Sequence, residues 1–404
     1  MSENMMAITA AANPTIKNPL EDVYTAILPI AGMAWIDTGE GIFIIDTLLT
    51  EVAAKDVIEK IEEPIKYIVY THGHMDHVGG AKIFMKDNPE VIAGQYCSER
   101  FDKYSALSEH RALINSEQFN LPKIVRPVDF VYPTREIKGD LTIELGNKTF
   151  ELHHCRAETD DAVWVYVPEL NAAFIGDLMI GTNFPNVGNP HKPTRFALDW
   201  AKELEKIREL KPEYIFCNGA GQLYKKERAL EALDHNIEVI RTLYDQVVEF
   251  INQGMHITEM IHAVKVPEHL KKSKYLRQLY SRPEFFVFNV YRWLHGYYDH
   301  NPAHLIPRPE KEVMKEIYSL IDSSQKILDH AKKLHAEGQS QLALQVLDVL
   351  IQADPENMDA LKLRMKLVEA LAKNDTCLMS RNAYFYSNKR DKKTIRALRK
   401  KKKK

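Results

Sequence analysis

Three histidines and one aspartate, namely His72, His74, Asp76 and His77, lie in a run of six residues. Imidazole nitrogen and carboxylate oxygen are the ligands that divalent transition metals such as zinc bind in proteins. His72 and His74 point the same way if the chain is extended, and Asp76 with His77 is placed to serve a neighbouring ion. This density of ligands directly after an apolar segment favours a metal centre over isolated core or surface histidines.

The residues before this run have the pattern of an α/β unit that ends where the ligands begin. Residues 32–38 and 41–47 are apolar and flank a Gly-Glu pair, so they predict a β-hairpin. Residues 52–61 have apolar side chains at helical spacing, and residues 65–70 form an apolar run that predicts a buried strand. Loops that follow strands carry the functional residues in such folds, and the ligand run occupies one of them.

The same pattern continues to about residue 300 and then changes. It predicts strands at residues 141–145, 150–154, 162–167, 172–175 and 214–217, and helices at residues 197–210 and 225–253. Helical spacing continues to residue 298. Residues 301–309 contain three prolines and resist regular structure, so they predict a domain boundary.

Beyond this boundary, residues 327–338 and 343–355 predict a helix pair that resembles a tetratricopeptide repeat. Small side chains at Ala331 and Ala343, with Gly338 between the helices, fit that pattern. Barely more than one repeat is present, so the pair must bury an apolar face against another surface. A second copy of the chain or its own catalytic domain could supply that surface, and the sequence leaves both open.

The charge of the chain is divided unevenly. Residues 389–404 contain eleven basic residues and one acid, so residues 1–388 carry a net charge of −12 although the whole chain carries −2. Such a block predicts a solvated, disordered end, with binding to nucleic acid or an anionic surface as the less favoured alternative. No apolar run has the length of a membrane span, and residues 1–17 lack the pattern of an export signal. Four scattered cysteines fit neither a disulfide framework nor a CxxC metal site, so we expect a cytoplasmic protein.

The segment His72-Gly-His-Met-Asp-His77 matches the HxHxDH signature of the metallo-β-lactamase superfamily, and the chain resembles that superfamily. The resemblance implies a four-layer αββα sandwich that usually holds two metal ions. It puts Glu158 where the third element of the family supplies a ligand, and Asp177 where the family has a bridging acid after an apolar strand. Where the family usually has a histidine after the last strand, this chain has Ala220.

Other segments resemble the alkylsulfatase branch of the superfamily. Glutamate at position 158 is typical of that branch, and residues 183–186, 291–305 and 381–386 resemble it as well. In that branch the C-terminal helices form a dimerisation domain, so the resemblance implies a homodimer.

The resemblance also implies an order of domains. An α/β catalytic domain is expected at residues 21–305, with a helical extension from about residue 225. An all-α, tetratricopeptide-like domain is expected at residues 310–388. Residues 1–20 are expected to be a flexible N-terminus, and residues 389–404 remain as the basic tail.

The resemblance assigns the ligands as follows: one ion binds to His72, His74 and Glu158, a second to Asp76 and His77, and Asp177 bridges the two. Without the resemblance, the sequence leaves a second interpretation open, in which Glu158 and Asp177 are ordinary surface or strand-end carboxylates. Asp46, at the end of a predicted strand, is expected to support the site. Zinc is the expected metal, and iron, manganese or cobalt would suit the same ligands.

Ala220 cannot bind a metal, so the second ion loses one protein ligand. We therefore expect one tight ion and a weaker second one. The missing place could be filled by a water molecule or by one of four side chains, Asn218, Gln222, His191 or His235.

This metal set predicts a hydrolase, because a divalent ion lowers the pKa of a water ligand towards neutrality. Asp76 and Asp177 are the predicted catalytic residues, since they would orient that water as well as hold metal. In the alkylsulfatases that this chain resembles, the products are an alcohol and inorganic sulfate. The residues predicted to bind the small-molecule substrate are Asn186, His191, Lys192 and Arg195.

Three hypotheses follow. The first is hydrolysis of an alkyl sulfate ester, which rests on Glu158 and the C-terminal resemblance. The second keeps the metal-dependent hydrolase but takes a lactone, a carboxylic ester or a phosphoester as substrate. The third is a metal-binding scaffold with impaired catalysis, which rests on Ala220.

Overall fold

Two packed β-sheets lie at the centre of the computed structural model, which describes residues 13–123, 129–217, 221–321 and 323–401. Contacts divide the described residues into two units. The first unit draws on residues 1–113 and 124–295, and the second on residues 114–123 and 296–404.

The first sheet has seven strands in sequence order: β1 (Thr15–Leu20), β2 (Val23–Ile27), β3 (Gly32–Asp37), β4 (Ile42–Ile45), β5 (Ile65–Val69), β6 (Glu90–Gly94) and β7 (Arg135–Ile137). Strands β1 to β4 are antiparallel neighbours, whereas β4 to β7 are parallel. The predicted hairpin is confirmed as β3 and β4. The expectation of a flexible N-terminus is wrong for residues 15–20, because β1 pairs with β2 and Ile16 packs against the core.

The second sheet has six strands: β8 (Asp140–Leu145), β9 (Lys148–Cys155), β10 (Ala162–Val167), β11 (Ala172–Phe174), β12 (Tyr214–Cys217) and β13 (Gln222–Lys225). They lie in the order β13-β12-β11-β10-β9-β8, and β11 with β12 is the parallel pair among otherwise antiparallel neighbours. The five strands predicted in this region are confirmed. Strand β13 replaces the first residue of the helix that the sequence predicted from residue 225.

Helices of the first unit cover the outer faces of the two sheets. They are α1 (Glu51–Ile58), α2 (Met75–Val78), α3 (Cys97–Ala106), α4 (Ser108–Gln118, which continues into the second unit), α5 (Ala197–Glu209), α6 (Glu227–Asn252), α7 (Ile257–Ala263) and α8 (Pro283–Leu294). Val57 of α1 and Phe101 of α3 pack on the first sheet, and Trp200 of α5 and Leu233 of α6 pack on the second.

Between the sheets lies an apolar layer in which the Phe43 and Phe150 rings stack. Val163, Phe174 and Phe216 belong to the same buried cluster. Alternating strand residues therefore face either this layer or the helices, as a sheet covered on both sides requires. The predicted α/β class and the αββα sandwich are confirmed.

The second unit is helical: α9 (Pro302–Leu305), α10 (Glu310–Ile321), α11 (Ser324–Ala336), α12 (Ser340–Ala353), α13 (Met358–Asn374) and α14 (Leu378–Lys401). Helices α11 and α12 form the predicted pair, and Ala331 and Ala343 are fully buried in their common cluster. The contact boundary follows His295, ahead of the proline-rich segment. That segment contains the short helix α9, because Pro302 occupies its first turn and the Asn301 side chain accepts a hydrogen bond from the Ala303 N–H.

The expected disorder of the basic tail is wrong for residues 389–401, which belong to helix α14. Two apolar residues within the basic block, Ile395 and Leu398, pack with Leu361 of α13. Asp391 is buried and accepts two hydrogen bonds from the Arg364 guanidinium. None of the helices among the described residues is both long and apolar enough to span a membrane.

Candidate metal centre

The ligand run spans the loop between β5 and α2, which contains His72 and His74, and the helix α2 itself, which contains Asp76 and His77. The backbone that follows α2 is packed tightly against the loop after β4. A Cβ atom at Gly79 would lie 2.0 Å from the Leu49 carbonyl oxygen, and one at Gly80 would lie 2.1 Å from the Thr47 carbonyl oxygen. Only glycine fits at this distance. The glycine pair follows Val78, the last residue of α2, and therefore lets the chain pass close to the loop after β4 where that helix ends.

Asp46, at the end of β4, fixes the orientation of His77. Its Oδ2 accepts a hydrogen bond from His77 Nδ1 at 2.7 Å, and its Oδ1 accepts one from the Thr71 N–H at 2.7 Å. When Nδ1 carries the proton, His77 Nε2 has a lone pair for a metal. Asp46 is fully buried, in the supporting place that its position at a strand end predicted.

One group of possible ligands comprises His72, His74 and Glu158. Glu158 Oε2 lies 3.7 Å from His72 Nε2 and 3.9 Å from His74 Nδ1. The three ligand atoms lie within 4.8 Å of one another, as one ion requires. Glu158 reaches this point because β9 ends at Cys155 and the chain turns there.

A second group comprises His72, His77 and Asp177, and its ligand atoms also lie within 4.8 Å of one another. Asp177 Oδ1 is 3.5 Å from His77 Nε2. Asp76 lies beside this group, with its Oδ2 3.7 Å from the same nitrogen. The loop after β11 brings Asp177 close because Gly176 has a φ of +50° and packs directly on Thr71.

The residues present fit a divalent ion. His77 Nε2, Glu158 Oε2 and Asp177 Oδ1 are buried and have no hydrogen-bond partner among the described residues. A buried polar atom without a partner costs on the order of 1–3 kcal/mol, and these three atoms belong to two adjacent groups that share His72, so the donor set suits a divalent cation.

The charges of the side chains agree with this. Burial lowers the pKa of His72 and His74 well below the usual value, and a neighbouring imidazole lowers each further, so both are neutral ligands near pH 7. Burial raises the pKa of Asp177, but the combined effects of His77, His72 and Glu158 lower that pKa to about 2. Burial raises the pKa of Glu158 to about 8, against the opposing effect of Arg195. With Arg195 already beside it, Glu158 would be fully ionised at neutral pH only if a further cation bound nearby.

Comparisons with known proteins match two parts of the chain to two family models. The metallo-β-lactamase superfamily matches residues 33–219, and the alkyl sulfatase dimerisation family matches residues 256–393. The chain therefore joins a metallo-β-lactamase domain to an alkyl sulfatase dimerisation domain. Both parts of the predicted resemblance are confirmed.

The chain is similar to several proteins named alkylsulfatases. It is 24% identical to a linear primary-alkylsulfatase of Pseudomonas over 87% of this chain and 72% of that enzyme. It is 23% identical to an alkyl/aryl-sulfatase of Saccharomyces cerevisiae and 24% identical to an (R)-specific secondary-alkylsulfatase of Pseudomonas. The alignments cover 88% of this chain in both cases, but only 60% and 59% of those two enzymes.

A solved structure has the same fold. The inverting secondary alkylsulfatase from Pseudomonas superposes with a TM-score of 0.83 over 92% of this chain and 64% of that chain, at 21% sequence identity.

The fifth ligand position of the superfamily, here Ala220, lies outside the described residues, as does Asn218. Two other side chains considered for that place have partners elsewhere. Gln222 donates to the Tyr224 hydroxyl at 3.0 Å, and His235 forms a 2.7 Å hydrogen bond with Ser273 Oγ.

Of the four residues predicted to bind substrate, two form hydrogen bonds to Glu158, the candidate metal ligand, instead. Asn186 donates from Nδ2 to Glu158 Oε1 at 2.8 Å, and Arg195 donates from Nη1 to the same oxygen. Arg195 is buried, so its expected role in binding the sulfate group is not supported by this contact. The backbone N–H of His191 donates to the Asn189 side chain.

Lys192 remains as a cation beside the site. Burial and the neighbouring Arg195 lower the pKa of Lys192 to about 8, although Asp76 and Glu158 raise it. These interactions place its ammonium group within electrostatic range of both carboxylates. No salt bridge joins it to a carboxylate of the described residues at 4.0 Å or less.

The sequence analysis missed several residues that support the ligand loop. Asp161 Oδ2 accepts from the Gly73 N–H at 2.9 Å, and its Oδ1 accepts from Arg100 Nε at 2.9 Å. The adjacent acids Asp160 and Asp161, directly after the predicted ligand at position 158, were a signal that could have found this pair. Nothing in the sequence singled out Tyr280, whose pKa is raised by burial and by the nearby Glu158 and Asp76.

Proposed function

We propose that this protein is a metal-dependent hydrolase that acts on alkyl sulfate esters. The observation that carries the proposal is the glutamate ligand, since Glu158 Oε2 faces His72 and His74. Relatives named alkylsulfatases, aligned over 85% or more of this chain, support the choice of substrate.

We assign one ion to His72, His74 and Glu158, and a second to Asp76, His77 and Asp177, with Asp177 bridging. The first set has three protein ligands of its own, so the first ion binds more tightly. Zinc suits imidazole and carboxylate ligands, and iron or manganese would suit them as well.

Bound at these ligands, divalent ions would supply Lewis acidity and lower the pKa of a water molecule. Asp177 has a low pKa and is therefore ionised at neutral pH, so it could hold metal and accept a hydrogen bond from a water molecule. Asp76 lies on the more exposed side of the cluster, where it orients the same water. Attack of the water oxygen on the carbon that bears the sulfate would break the bond from that carbon to the sulfate oxygen. The products would be an alcohol and hydrogen sulfate, which carries the second proton of the water and ionises in solution.

We assign recognition of the sulfate group to Lys192. A sulfate ester carries one negative charge, and Arg195, the other nearby cation among the predicted residues, is bonded to Glu158. Lys192 has no such carboxylate partner in the described chain, so its ammonium can donate to the sulfate oxygens.

A second candidate is hydrolysis of a carboxylic ester, a lactone or a phosphoester at the same centre. The engagement of Arg195 with Glu158 favours it, because one lysine is a weaker determinant of sulfate than an open arginine.

A substrate panel separates the two candidates. Metal-loaded protein is incubated with dodecyl sulfate, dodecyl phosphate, a carboxylic ester and a lactone, and the His74→Ala variant serves as the control for metal-dependent turnover. We expect sulfate release from dodecyl sulfate to exceed turnover of the other compounds and to be lost in the variant. Faster metal-dependent turnover of another ester would replace the first candidate by the second. Equal turnover by the variant would reject both.

We also propose that the second unit forms a homodimer. Helix α10 has no buried residue, and Val313, Ile317 and Leu320 form an apolar stripe along one face at spacings of four and three residues. Leu320 is 87% exposed, and Ile306, just before the helix, is 88% exposed. Exposed apolar surface of this kind is typical of a protein interface. The match to a dimerisation family over residues 256–393 supports a second copy of the chain as the occupant.

A further inference from the structure

The two oxygens of the Glu158 carboxylate have different surroundings. Oε1 accepts hydrogen bonds from Asn186 Nδ2 and from Arg195 Nη1. Oε2 accepts none from the described residues and faces His72 and His74. Hydrogen-bond donors thus occupy Oε1, and Oε2 is left to bind a metal ion.

Arg195 is itself held from two sides. Its Nη1 donates to the Asn186 carbonyl oxygen at 2.5 Å. Its backbone N–H donates to Asn289 Oδ1 at 2.7 Å, and Asn289 Nδ2 donates back to the Arg195 carbonyl oxygen at 2.9 Å. Asn289 lies in α8 between the buried residues Phe286 and Val290, where an amide needs partners. Asn289 therefore fixes the Arg195 backbone, and this positions the guanidinium that contacts Glu158.

We infer that Arg195 is a positioning residue, which together with Asn186 and Asn289 holds Glu158 so that Oε2 alone faces the metal site. This inference rests on the proposed ligand role of Glu158. Asn289 lies within the segment that matches the dimerisation family, so that segment contributes to the metal site of the preceding domain.

Arg195 is a cation beside a proposed metal site, so it could affect metal affinity in two opposite ways. Its positive charge alone disfavours metal binding by repulsion. Orientation of the carboxylate favours metal binding, because an unfixed Glu158 would have to be ordered when the ion binds. The two roles therefore predict opposite signs for the change in metal affinity when the guanidinium is removed.

The test is a titration of metal-free protein with Co²⁺, followed by the d–d absorption of the bound ion, which needs no catalytic activity. In Arg195→Met we expect the affinity of the first site to fall by about 10- to 100-fold. Arg195→Lys, which keeps a donor and the charge, should recover part of the loss. Asn289→Leu should lower the affinity in the same direction while Arg195 is retained, and it serves as the test if Arg195→Met does not fold.

The matched control is Arg156→Met. Arg156 precedes Glu158 by two residues but pairs with Asp199 at 2.5 Å, and its side chain is 48% exposed. We expect unchanged Co²⁺ affinity in this variant. A double-mutant cycle completes the design: in a Glu158→Ala background, Arg195→Met should cause no further loss of affinity, since Arg195 acts through Glu158.

Unchanged or higher Co²⁺ affinity in both Arg195→Met and Asn289→Leu would overturn the inference, and so would equal losses with and without Glu158. The proposed substrate can fail separately. If the wild-type protein released no sulfate but showed the expected Co²⁺ affinities, the positioning role would stand and the choice of alkyl sulfates would fall.

Discussion

At the scale of single residues, the site combines candidate ligands that were predicted from the sequence with supporting residues that were not. The HxHxDH run could be predicted from the density of ligand types after an apolar strand, whereas Glu158 and Asp177 were predicted as ligands from the family resemblance. The hydrogen bonds of Arg195 to Glu158 and to Asn289 were not, since 94 residues separate Arg195 from its partner in α8. Such long-range pairs depend on how the loops after β9 and β11 pack, which no local pattern encodes.

Lys192 gives a pH dependence at this scale. The pKa of Lys192 is about 8, so the group is a cation below that pH and loses its charge as the pH rises above it. We expect kcat/KM for an alkyl sulfate to fall above about pH 8 and KM to rise about tenfold or more in Lys192→Met. In Lys192→Arg, which stays charged, the fall above pH 8 should be absent. If the pH profiles of the wild type and of Lys192→Arg had the same shape, Lys192 would be excluded as the sulfate-binding cation.

At the scale of secondary-structure elements, most strands of the two sheets were predictable because each alternates or is uniformly apolar. Strand β1 was not, since residues 15–20 include Lys17, Asn18 and Pro19, which are uncommon in strands, and are ordered by pairing with β2. Helix α14 was hidden by its lysines and arginines, although Ile395 and Leu398 have the three-residue spacing of a buried helix face. The basic composition of residues 389–404 predicted disorder, and the two apolar residues at helical spacing were too few to predict a helix.

The turn after β11 gives a stability prediction. Gly176 has a φ of +50°, and a Cβ there would lie 2.7 Å from Thr71 Cβ. Gly176→Ala should therefore lower the free energy of unfolding by about 2 kcal/mol or more, measured by thermal unfolding in the presence of a chelator. Gly254→Ala is the control, because that glycine also has a positive φ but nothing within 4 Å of its Cβ position. A smaller loss at Gly176 than at Gly254 would contradict the tight packing of this turn.

Helix α14 gives a second stability prediction. Ile395 is buried against α13, so Ile395→Ala should destabilise the second unit by about 2 kcal/mol, as loss of a buried aliphatic side chain usually does. Arg396→Ala, at the next and exposed position, should have little effect. Chemical denaturation of the full chain measures both. Equal stability of the two variants would contradict the packing of α14 on α13 and would favour the disordered tail that was predicted from the sequence.

At the scale of the whole molecule, the chain pairs a catalytic fold with a helical unit whose apolar stripe on α10 lacks a cover among the described residues. The sequence could predict this order of parts from the resemblance, but not where the division falls. Residues 114–123 group with the C-terminal helices, because the Gln118 and Asn120 carbonyl groups accept hydrogen bonds from Asn382 and Lys389. A pairing over more than 260 positions leaves no trace in local spacing.

The homodimer is tested at this scale. Leu320→Glu places a charge in the apolar stripe of α10, and since Leu320 is 87% exposed, the helix itself should fold normally. We expect the variant to sediment as a monomer at micromolar concentration, where the wild type sediments as a dimer. Lys315→Glu adds a similar charge on the opposite face of α10 and should leave the dimer intact. A dimer of Leu320→Glu as stable as the wild type would move the interface away from this stripe.

The central claim is that His72, His74 and Glu158 hold the ion on which hydrolysis of an alkyl sulfate depends. Bound metal and sulfate release from dodecyl sulfate should be measured on the same samples of wild type, Glu158→Ala and chelator-treated wild type. We expect the wild type to retain at least one ion per chain and to release sulfate, and the other two samples to lose both together. Undiminished sulfate release from metal-free protein would contradict the claim.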